Sequence, residues 1–165
     1  MPSVITTYLE TTSPDALAAA PMPPGLDIRE CREKRFGFNR IMYYEVGTMW
    51  RWTDKHAWSD QQWKAYAESD CLRTWKARYH DDLVGYYELQ QIHTDVEIAY
   101  FGLTRAFIGK GLGGPLLTHA IQSAWQWSGT QRVWVHTCTL DHPNALSNYL
   151  ARGLRIYRTR REARC

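Results

Sequence analysis

The feature that most constrains the fold is a glycine-rich loop between a strand-like run and a helix-like run. Residues 96–103 have the composition of a β-strand, and residues 116–127 repeat apolar side chains at helical spacing. The loop between them contains Gly109, Gly111, Gly113 and Gly114. Glycine lets the backbone approach a ligand closely, and the first turn of a helix leaves amide N–H groups without partners. This order of strand, loop and helix therefore predicts an anion-binding site that suits a phosphate group.

Size and composition favour a single globular domain over residues 1–165. Of the 165 residues, 44% are hydrophobic and 22% are charged, so the chain is long enough to bury a sizeable core. The net charge of +3 suits an anionic ligand but does not demand nucleic acid. Part of the basic excess lies in a C-terminal segment, expected to be a solvated final strand, that contains Arg155, Arg158, Arg160, Arg161 and Arg164.

The cysteine spacing and the hydropathy pattern indicate the cellular compartment and whether a bound metal is expected. The cysteines are widely spaced and form no CxxC pair: Cys31, Cys71, Cys138 and Cys165. Neither a zinc site nor a disulfide framework is therefore expected. The sequence shows no signal-peptide pattern and no apolar run of about 18 residues. These features predict a cytoplasmic protein with no bound metal and no membrane partner.

Periodicity and turn residues predict a mixed sheet with four helices. Strands are expected at residues 4–9, 26–32, 72–79, 84–90, 96–103, 132–139 and 154–159. Helices are expected at residues 39–47, 59–69, 116–127 and 143–153, the second opened by a capping box of Ser59 and Gln62. Because a helix connects strands 96–103 and 132–139, the two should run parallel. The order predicts an α+β or α/β fold.

The position of a predicted hairpin turn at residues 92–94 decides whether two acidic side chains, those of Glu88 and Glu97, face each other. If the turn is tight and symmetric about residues 92 and 93, Glu88 faces Glu97 across the ladder. Two like charges at that distance would raise the pKa of one carboxyl towards the range of a general base. Glu97 is therefore the candidate base, and Glu88 or a water relay is the alternative.

Two common nucleotide-binding motifs fit the glycine loop poorly. A Walker A motif needs Ser or Thr after the lysine, whereas Lys110 is followed by Gly111. A Rossmann motif needs an acidic residue about 20 positions later, where Arg132 stands. The loop instead resembles the Q/R-x-x-G-x-G/A motif of the GNAT-type N-acetyltransferases, matched at both glycines from Ile108 to Gly113, with Ile108 in place of Gln or Arg.

A second segment, residues 141–154, also resembles this family. The family has an Ala, a Tyr four positions later and a Gly-Phe pair that closes the helix. The matching residues here are Ala145, Tyr149, Gly153 and Leu154. His142 stands where the family commonly has an Asn that contacts the pantetheine arm, and Asn144 is a nearby substitute. The resemblance covers residues 96–154 and does not reach the part of the chain before residue 70.

The resemblance implies both a fold and a reaction. The implied fold is α+β, an α/β/α sandwich whose central sheet is mixed, mostly antiparallel, and contains a splayed parallel strand pair. The implied reaction moves an acetyl group from acetyl-CoA to an amine of a small molecule or peptide by direct attack in a ternary complex. Tyr149 would be the general acid, and Glu97 the base. The cofactor-binding residues would be Phe101, Leu103, Ile108, Gly109, Lys110, Gly111, Leu112, Gly113, Gly114 and Asn144.

The binding site for the acceptor amine lies outside the two motifs. We expect residues 36–66 to shape it, with a cationic or amphipathic amine held by Tyr43, Tyr44, Glu45, Trp50, Trp52 and Asp54. The aromatic-rich first half also suits a homodimer face. The sequence leaves the acceptor open among small molecules, antibiotics, protein N-termini and lysines.

Two alternative functions remain at this point. The departures at Ile108 and His142 motivate a catalytically idle acyl-CoA-binding or sensory module on the same fold. The arginine-rich C-terminal segment motivates a nucleic-acid binder, which would bind with a steep salt dependence. The mild net charge argues against the second alternative, so no nucleic-acid partner is predicted.

Overall fold

Seven strands and four α-helices make up the fold in the computed structural model, which describes residues 3–163. The strands are β1 (Ser3–Thr11), β2 (Leu26–Glu30), β3 (Leu72–Tyr79), β4 (Asp82–Ile92), β5 (Asp95–Leu103), β6 (Arg132–Cys138) and β7 (Arg155–Ala163). The helices are α1 (Phe36–Gly47), α2 (Asp60–Ala67), α3 (Gly113–Gln126) and α4 (Ala145–Ala151). None of the helices in this part of the chain is long and apolar enough to cross a lipid bilayer.

The strands form one mixed sheet in the order β2-β3-β4-β5-β6-β1-β7. All neighbours are antiparallel except β5 and β6, which pair in parallel between Asp95–Glu97 and Arg132–Trp134. The pairing stops after Glu97, although both strands continue. The sheet therefore opens along β5 and β6, which confirms the predicted splayed parallel pair.

The two faces of the sheet are covered by different helices, which gives the predicted α/β/α arrangement. Alternate residues of β4 show this, because Tyr87 belongs to the core packed under α3 whereas Tyr86 packs with Met42 and Val46 of α1. The core under α3 is the larger one and joins β3, β4, β5 and β6 to the apolar side of α3. Both cores are fully buried at their centres, so the helices fix the position of β5 from both sides.

The capping box predicted at the second helix is confirmed. The Ser59 hydroxyl accepts the Gln62 N–H, and the Gln62 side chain accepts the Ser59 N–H. The last helix begins at Ala145 and not at Pro143, because residues before it form a turn of their own. In that turn the Asp141 carboxylate accepts the Cys138 N–H, and His142 accepts the Asn144 N–H.

The predicted pairing of Glu88 with Glu97 is wrong. The hairpin turn falls at His93 and Thr94, one residue later than expected, since Ile92 pairs with Asp95. Glu97 therefore pairs with Gln90. Further along, Ile98 and Tyr100 oppose consecutive residues of β4, which makes Ala99 the extra residue of a β-bulge and places Tyr100 opposite Glu88.

The last strand agrees with the prediction for the arginine-rich segment. β7 pairs with β1 at the edge of the sheet, and its arginines are exposed. Arg164 and Cys165 lie outside the described residues. Gly153, which precedes β7, requires glycine: its φ is +100°, and an added Cβ would lie 2.0 Å from the Ala16 carbonyl oxygen.

Candidate active site

The opening between β5 and β6 is the mouth of a cleft of about 1120 Å³. It runs from the glycine loop and the start of α4 to the segment that links α1 and α2. The cleft brings together most of the predicted site residues: Glu97, Phe101, Leu103, Ile108, Gly109, Gly111, Leu112, Gly113, Gly114, Asn144 and Tyr149. Lys110 is the exception, because its side chain is exposed and does not form part of the wall.

The glycine loop presents a group of free backbone donors. Gly109 and Gly111 have φ values of +80° and +77°, and an added Cβ would meet nothing within 4 Å. The left-handed backbone, and not crowding, therefore requires glycine there. Within residues 3–163 the amides of residues 109–112 donate no hydrogen bond, and the amides of Gly113 and Gly114 open α3 without intrahelical partners. These donors and the positive end of the helix converge on one side of the cleft.

Tyr149 lies in the wall of the cleft, where α4 faces β5. Its side chain is 6% exposed, and its ring centroid is 6.3 Å from that of Phe101. Burial, with a further contribution from the charge of Asp141, raises the pKa of the Tyr149 hydroxyl above its usual value. Among the described residues this hydroxyl has no hydrogen-bond partner. It therefore keeps its proton at neutral pH and is free to donate it into the cleft.

Glu97 lies at the point where β5 and β6 separate. Its side chain is 16% exposed, and its Oε1 is 3.7 Å from Nε2 of His136 on β6. Burial raises the pKa of Glu97 to about 7, with the charge of Lys55 opposing the rise. Desolvation also lowers the pKa of His136. A carboxyl with this pKa can accept a proton near neutral pH.

Glu88 does not reach the cleft. It is 1% exposed and lies between the sheet and helices α1 and α2, outside the cleft. Burial there raises its pKa to about 7. Its Oε1 has no hydrogen-bond partner in the structure, and the same holds for the buried hydroxyls of Tyr66 and Tyr86. The pKa values of both glutamates are thus raised by desolvation, and not by the mutual repulsion that the sequence predicted.

The far end of the cleft contains half of the predicted amine-binding residues. Trp50, Trp52 and Asp54 line it, and Tyr43 lies buried behind them with its hydroxyl 3.0 Å from Asp54 Oδ1. The predictions for Tyr44 and Glu45 are wrong, because both side chains are exposed outside the cleft. They follow Tyr43 on α1, and successive helical positions point in different directions.

Lys55, whose charged side chain is almost buried at this end of the cleft, was not among the residues predicted from the sequence. Its ammonium is 3.3 Å from Asp54 Oδ2. It also lies over three aromatic rings, 4.1 Å from the centroid of Trp58, 4.6 Å from that of Tyr66 and 5.1 Å from that of Tyr100. The tryptophans and tyrosines were visible in the sequence, but no spacing rule showed that they surround a lysine of the same chain.

The remaining candidates have structural explanations. His142 lines the cleft, but its Nδ1 accepts the Asn144 N–H and its ring packs against Trp50 at 5.0 Å. Burial raises the pKa of the Cys138 thiol, which makes it a poor nucleophile. No cluster of three or more His, Cys, Asp or Glu side chains suited to a metal ion occurs within residues 3–163.

Solved structures with the same fold include N-acetyltransferases of low sequence identity. A GCN5-related N-acetyltransferase from Sphaerobacter thermophilus is 16% identical with a TM-score of 0.71; the match covers 96% of this chain and 50% of that one. A GCN5-related N-acetyltransferase from Kribbella flavida is 16% identical with a TM-score of 0.68, over 94% and 55% of the two chains. The chain thus spans about half the length of these two proteins.

A third structure matches over most of its own length. It is an aminoglycoside acetyltransferase from an uncultured soil metagenomic sample, solved in complex with trehalose, 14% identical with a TM-score of 0.63 over 77% of this chain and 86% of that chain. No curated protein matches the chain in a sequence comparison. The model of the acetyltransferase (GNAT) family matches residues 30–154, which is most of the chain. The protein therefore belongs to the GNAT family of acetyltransferases.

Proposed function

We propose that this protein transfers an acetyl group from acetyl-CoA to a primary amine by direct attack in a ternary complex. The observation that carries the proposal is that one cleft joins free backbone amides at its glycine loop to an acid and a base at the strand opening. The amides at Gly109–Gly114 fit a pyrophosphate, because they supply several donors at the positive end of α3. Residues 1–165 would form one such domain.

The donor would lie between the separated strands. The pantetheine arm would run along Phe101–Leu103, whose ladder partner on the β6 side is missing beyond Glu97. Ile108, Leu112 and Asn144 line the same stretch. Lys110 would contact a phosphate from outside the wall. This arrangement brings the thioester to the level of Glu97 and Tyr149.

The two side chains then divide the proton transfers. Glu97, as carboxylate, accepts the proton of the incoming ammonium, and the uncharged nitrogen attacks the thioester carbonyl. The new C–N bond forms as the C–S bond breaks. The coenzyme leaves as a thiolate, Tyr149 donates its proton to the sulfur, and the tyrosinate is reprotonated as the amide nitrogen loses its second proton. No acyl-enzyme is needed, in keeping with the raised pKa of Cys138.

The test is a thiol-release assay with acetyl-CoA across a panel of primary amines, with calorimetry of acetyl-CoA binding. We expect turnover with at least one amine. We also expect Tyr149→Phe to lower kcat by about a hundredfold, in the range of a lost general acid, with unchanged acetyl-CoA affinity. Unchanged turnover in Tyr149→Phe would remove Tyr149 as the acid. Absence of acetyl-CoA binding at millimolar ligand would contradict the proposal, and binding without turnover on any amine would favour the idle module.

A further inference from the structure

The acceptor end of the cleft contains an aromatic cage that the chain itself fills. The cage consists of Trp58, Tyr66 and Tyr100, whose rings surround the ammonium of Lys55 at 4.1, 4.6 and 5.1 Å. The Lys55 side chain is only 11% exposed, although the residue lines the cleft. Aromatic cages of this kind bind cations. The position that would suit a cationic substrate is therefore already occupied by a fixed positive charge.

The carboxylate beside the cage is bound by side chains of the same protein. Asp54 Oδ1 accepts a hydrogen bond from the Tyr43 hydroxyl at 3.0 Å. Asp54 Oδ2 lies 3.3 Å from the Lys55 ammonium and accepts a further hydrogen bond from the Tyr100 hydroxyl. Burial alone would raise the pKa of Asp54, but the Tyr100 hydrogen bond, the charge of Lys55 and the Tyr43 hydrogen bond hold it below its usual value. Asp54 is thus ionised, and its charge is already paired with the Lys55 ammonium.

The other acids in the wall are held by contacts of their own or are only partly charged near neutral pH. Glu97 has a pKa of about 7 and is therefore only partly charged near neutral pH. Asp141 accepts the Cys138 N–H and the Thr137 hydroxyl. Glu162 pairs with Arg160 at 3.0 Å. A second positive charge on an acceptor would lie near the Lys55 ammonium, and the charge of Asp54 beside it is already paired with that ammonium.

We propose that Lys55 is a specificity-determining residue that excludes acceptors carrying a second positive charge. The acceptor class is then a primary amine attached to an aromatic or other apolar group, which Trp50 and Trp52 can contact at the cleft wall. This inference rests on the proposed transfer to an amine. The sequence predicted a site for a cationic or amphipathic amine over residues 36–66, and in the structure three other rings of this region and of β5, those of Trp58, Tyr66 and Tyr100, surround Lys55.

The first test measures binding without turnover. Benzyltrimethylammonium is titrated calorimetrically into the wild type, into Lys55→Met and into Lys64→Met, whose lysine is exposed on α2. Removing the Lys55 ammonium leaves the Asp54 carboxylate without its cation, so Lys55→Met should bind the probe at least about tenfold more tightly than the wild type. Lys64→Met should bind it as the wild type does. Equal binding to all three proteins would overturn the inference.

The second test compares two acceptors of nearly the same shape, para-ethylphenethylamine and its para-aminomethyl analogue. The wild type should prefer the ethyl compound by at least about tenfold in kcat/KM, since repulsion near Lys55 acts on the extra ammonium alone. Lys55→Met should reduce this ratio by about the same factor, and Lys64→Met should keep it. A ratio that Lys55→Met leaves unchanged, or a wild type that prefers the dication, would contradict the proposal.

Controls separate this inference from the proposed function. Acetyl-CoA affinity and thermal unfolding are measured on the same proteins, and Lys55→Gln serves as a second variant if Lys55→Met does not fold. In one outcome the ammonium probe binds only after Lys55 is replaced, and acetyl-CoA binds to none of the proteins. The role of Lys55 in excluding cations would then be supported, and the proposed acetyl transfer would be contradicted. If acetyl-CoA binds and amines are acetylated without any effect of Lys55, the transferase stands and the cage assignment fails.

Discussion

The two ends of the cleft are built in different ways. The donor end is built mainly on one loop, Gly109–Gly114, which presents backbone amides beside the start of α4. The acceptor end, residues 50–66 with Glu97 and Tyr100, is made of side chains from elements far apart in the chain. A backbone site depends on the order of residue types, whereas a side-chain site depends on how distant segments pack. The donor end is therefore recognisable from sequence, and the acceptor end only in part.

The largest expected effect tests whether the acceptor end performs the proton transfer. Glu97→Gln keeps the size of the side chain but removes the base, so kcat should fall by about a hundredfold to a thousandfold. Acetyl-CoA affinity, which belongs to the donor end, should not change. Steady-state kinetics and calorimetry on the same preparations measure the two quantities.

The pH dependence of kcat provides a second test of Glu97 as the base. Because the pKa of Glu97 is about 7, the carboxylate fraction and hence kcat in the wild type should rise with pH through that value. The remaining activity of Glu97→Gln should lack this rise. A variant with wild-type kcat, or one that retains the rise near pH 7, would assign the base to another group, such as a water relay.

A second prediction concerns the stability cost of the buried acid below the acceptor end. Burial raises the pKa of Glu88 from 4.5 to about 7, so the folded state binds a proton that the unfolded state has lost between these values. Stability from this group therefore falls as pH rises from about 4.5 to about 7 and is constant above, with a total change of about 3 kcal/mol. Glu88→Gln should remove that fall.

The measurement is chemical denaturation of the wild type and Glu88→Gln at several pH values. The stability of the variant relative to the wild type should increase with pH by up to about 3 kcal/mol. Glu97 contributes a fall of the same sign in both proteins, so the difference isolates Glu88. A difference that does not vary with pH would show that Glu88 is not desolvated in solution.

Sequence patterns predicted the framework well because the framework depends on local signals. The Ser59 capping box, the strand and helix around the glycine loop, and the parallel pairing of β5 with β6 follow from residue order and chain direction. The register of the β4–β5 hairpin did not, because the turn falls at His93 and Thr94, one residue later than the sequence indicated, so that Glu97 faces Gln90. The bulge at Ala99 shifts the pairing once more and places Glu88 opposite Tyr100.

The acceptor end shows the same limit more strongly. Trp50, Trp52 and Asp54 were predicted there from their chemistry, yet Lys55, next to Asp54 in sequence, was not. Its position depends on rings from α2 and β5 that converge only in the folded chain. A residue whose role is set by such long-range packing cannot be recognised from its neighbours in sequence.

The third prediction tests whether the donor end depends on its backbone. Gly111 has a φ of +77° with free space around an added Cβ, so Gly111→Ala introduces strain without a clash. The cost should be roughly 1–2 kcal/mol, divided between stability and acetyl-CoA affinity according to how far the loop shifts. Gly37→Ala is the matched control, because Gly37 has an ordinary φ and equal space in α1. If Gly111→Ala and Gly37→Ala have the same effects on stability and on acetyl-CoA affinity, the donor end does not depend on a left-handed backbone at Gly111.

The smallest expected effect belongs to Lys110, the predicted donor-end residue that lies outside the cleft wall. An exposed lysine beside a phosphate contributes well under about 1 kcal/mol, and salt screens that contribution. Lys110→Ala should therefore raise the KM for acetyl-CoA about twofold to threefold at low ionic strength, with kcat unchanged and the effect lost in high salt. Lys64→Ala, an exposed lysine on α2, should leave the KM unchanged. A loss of tenfold or more that persists in salt would mean that Lys110 folds into the cleft when the coenzyme binds, and the donor end would then depend on a side chain as well as on its amides.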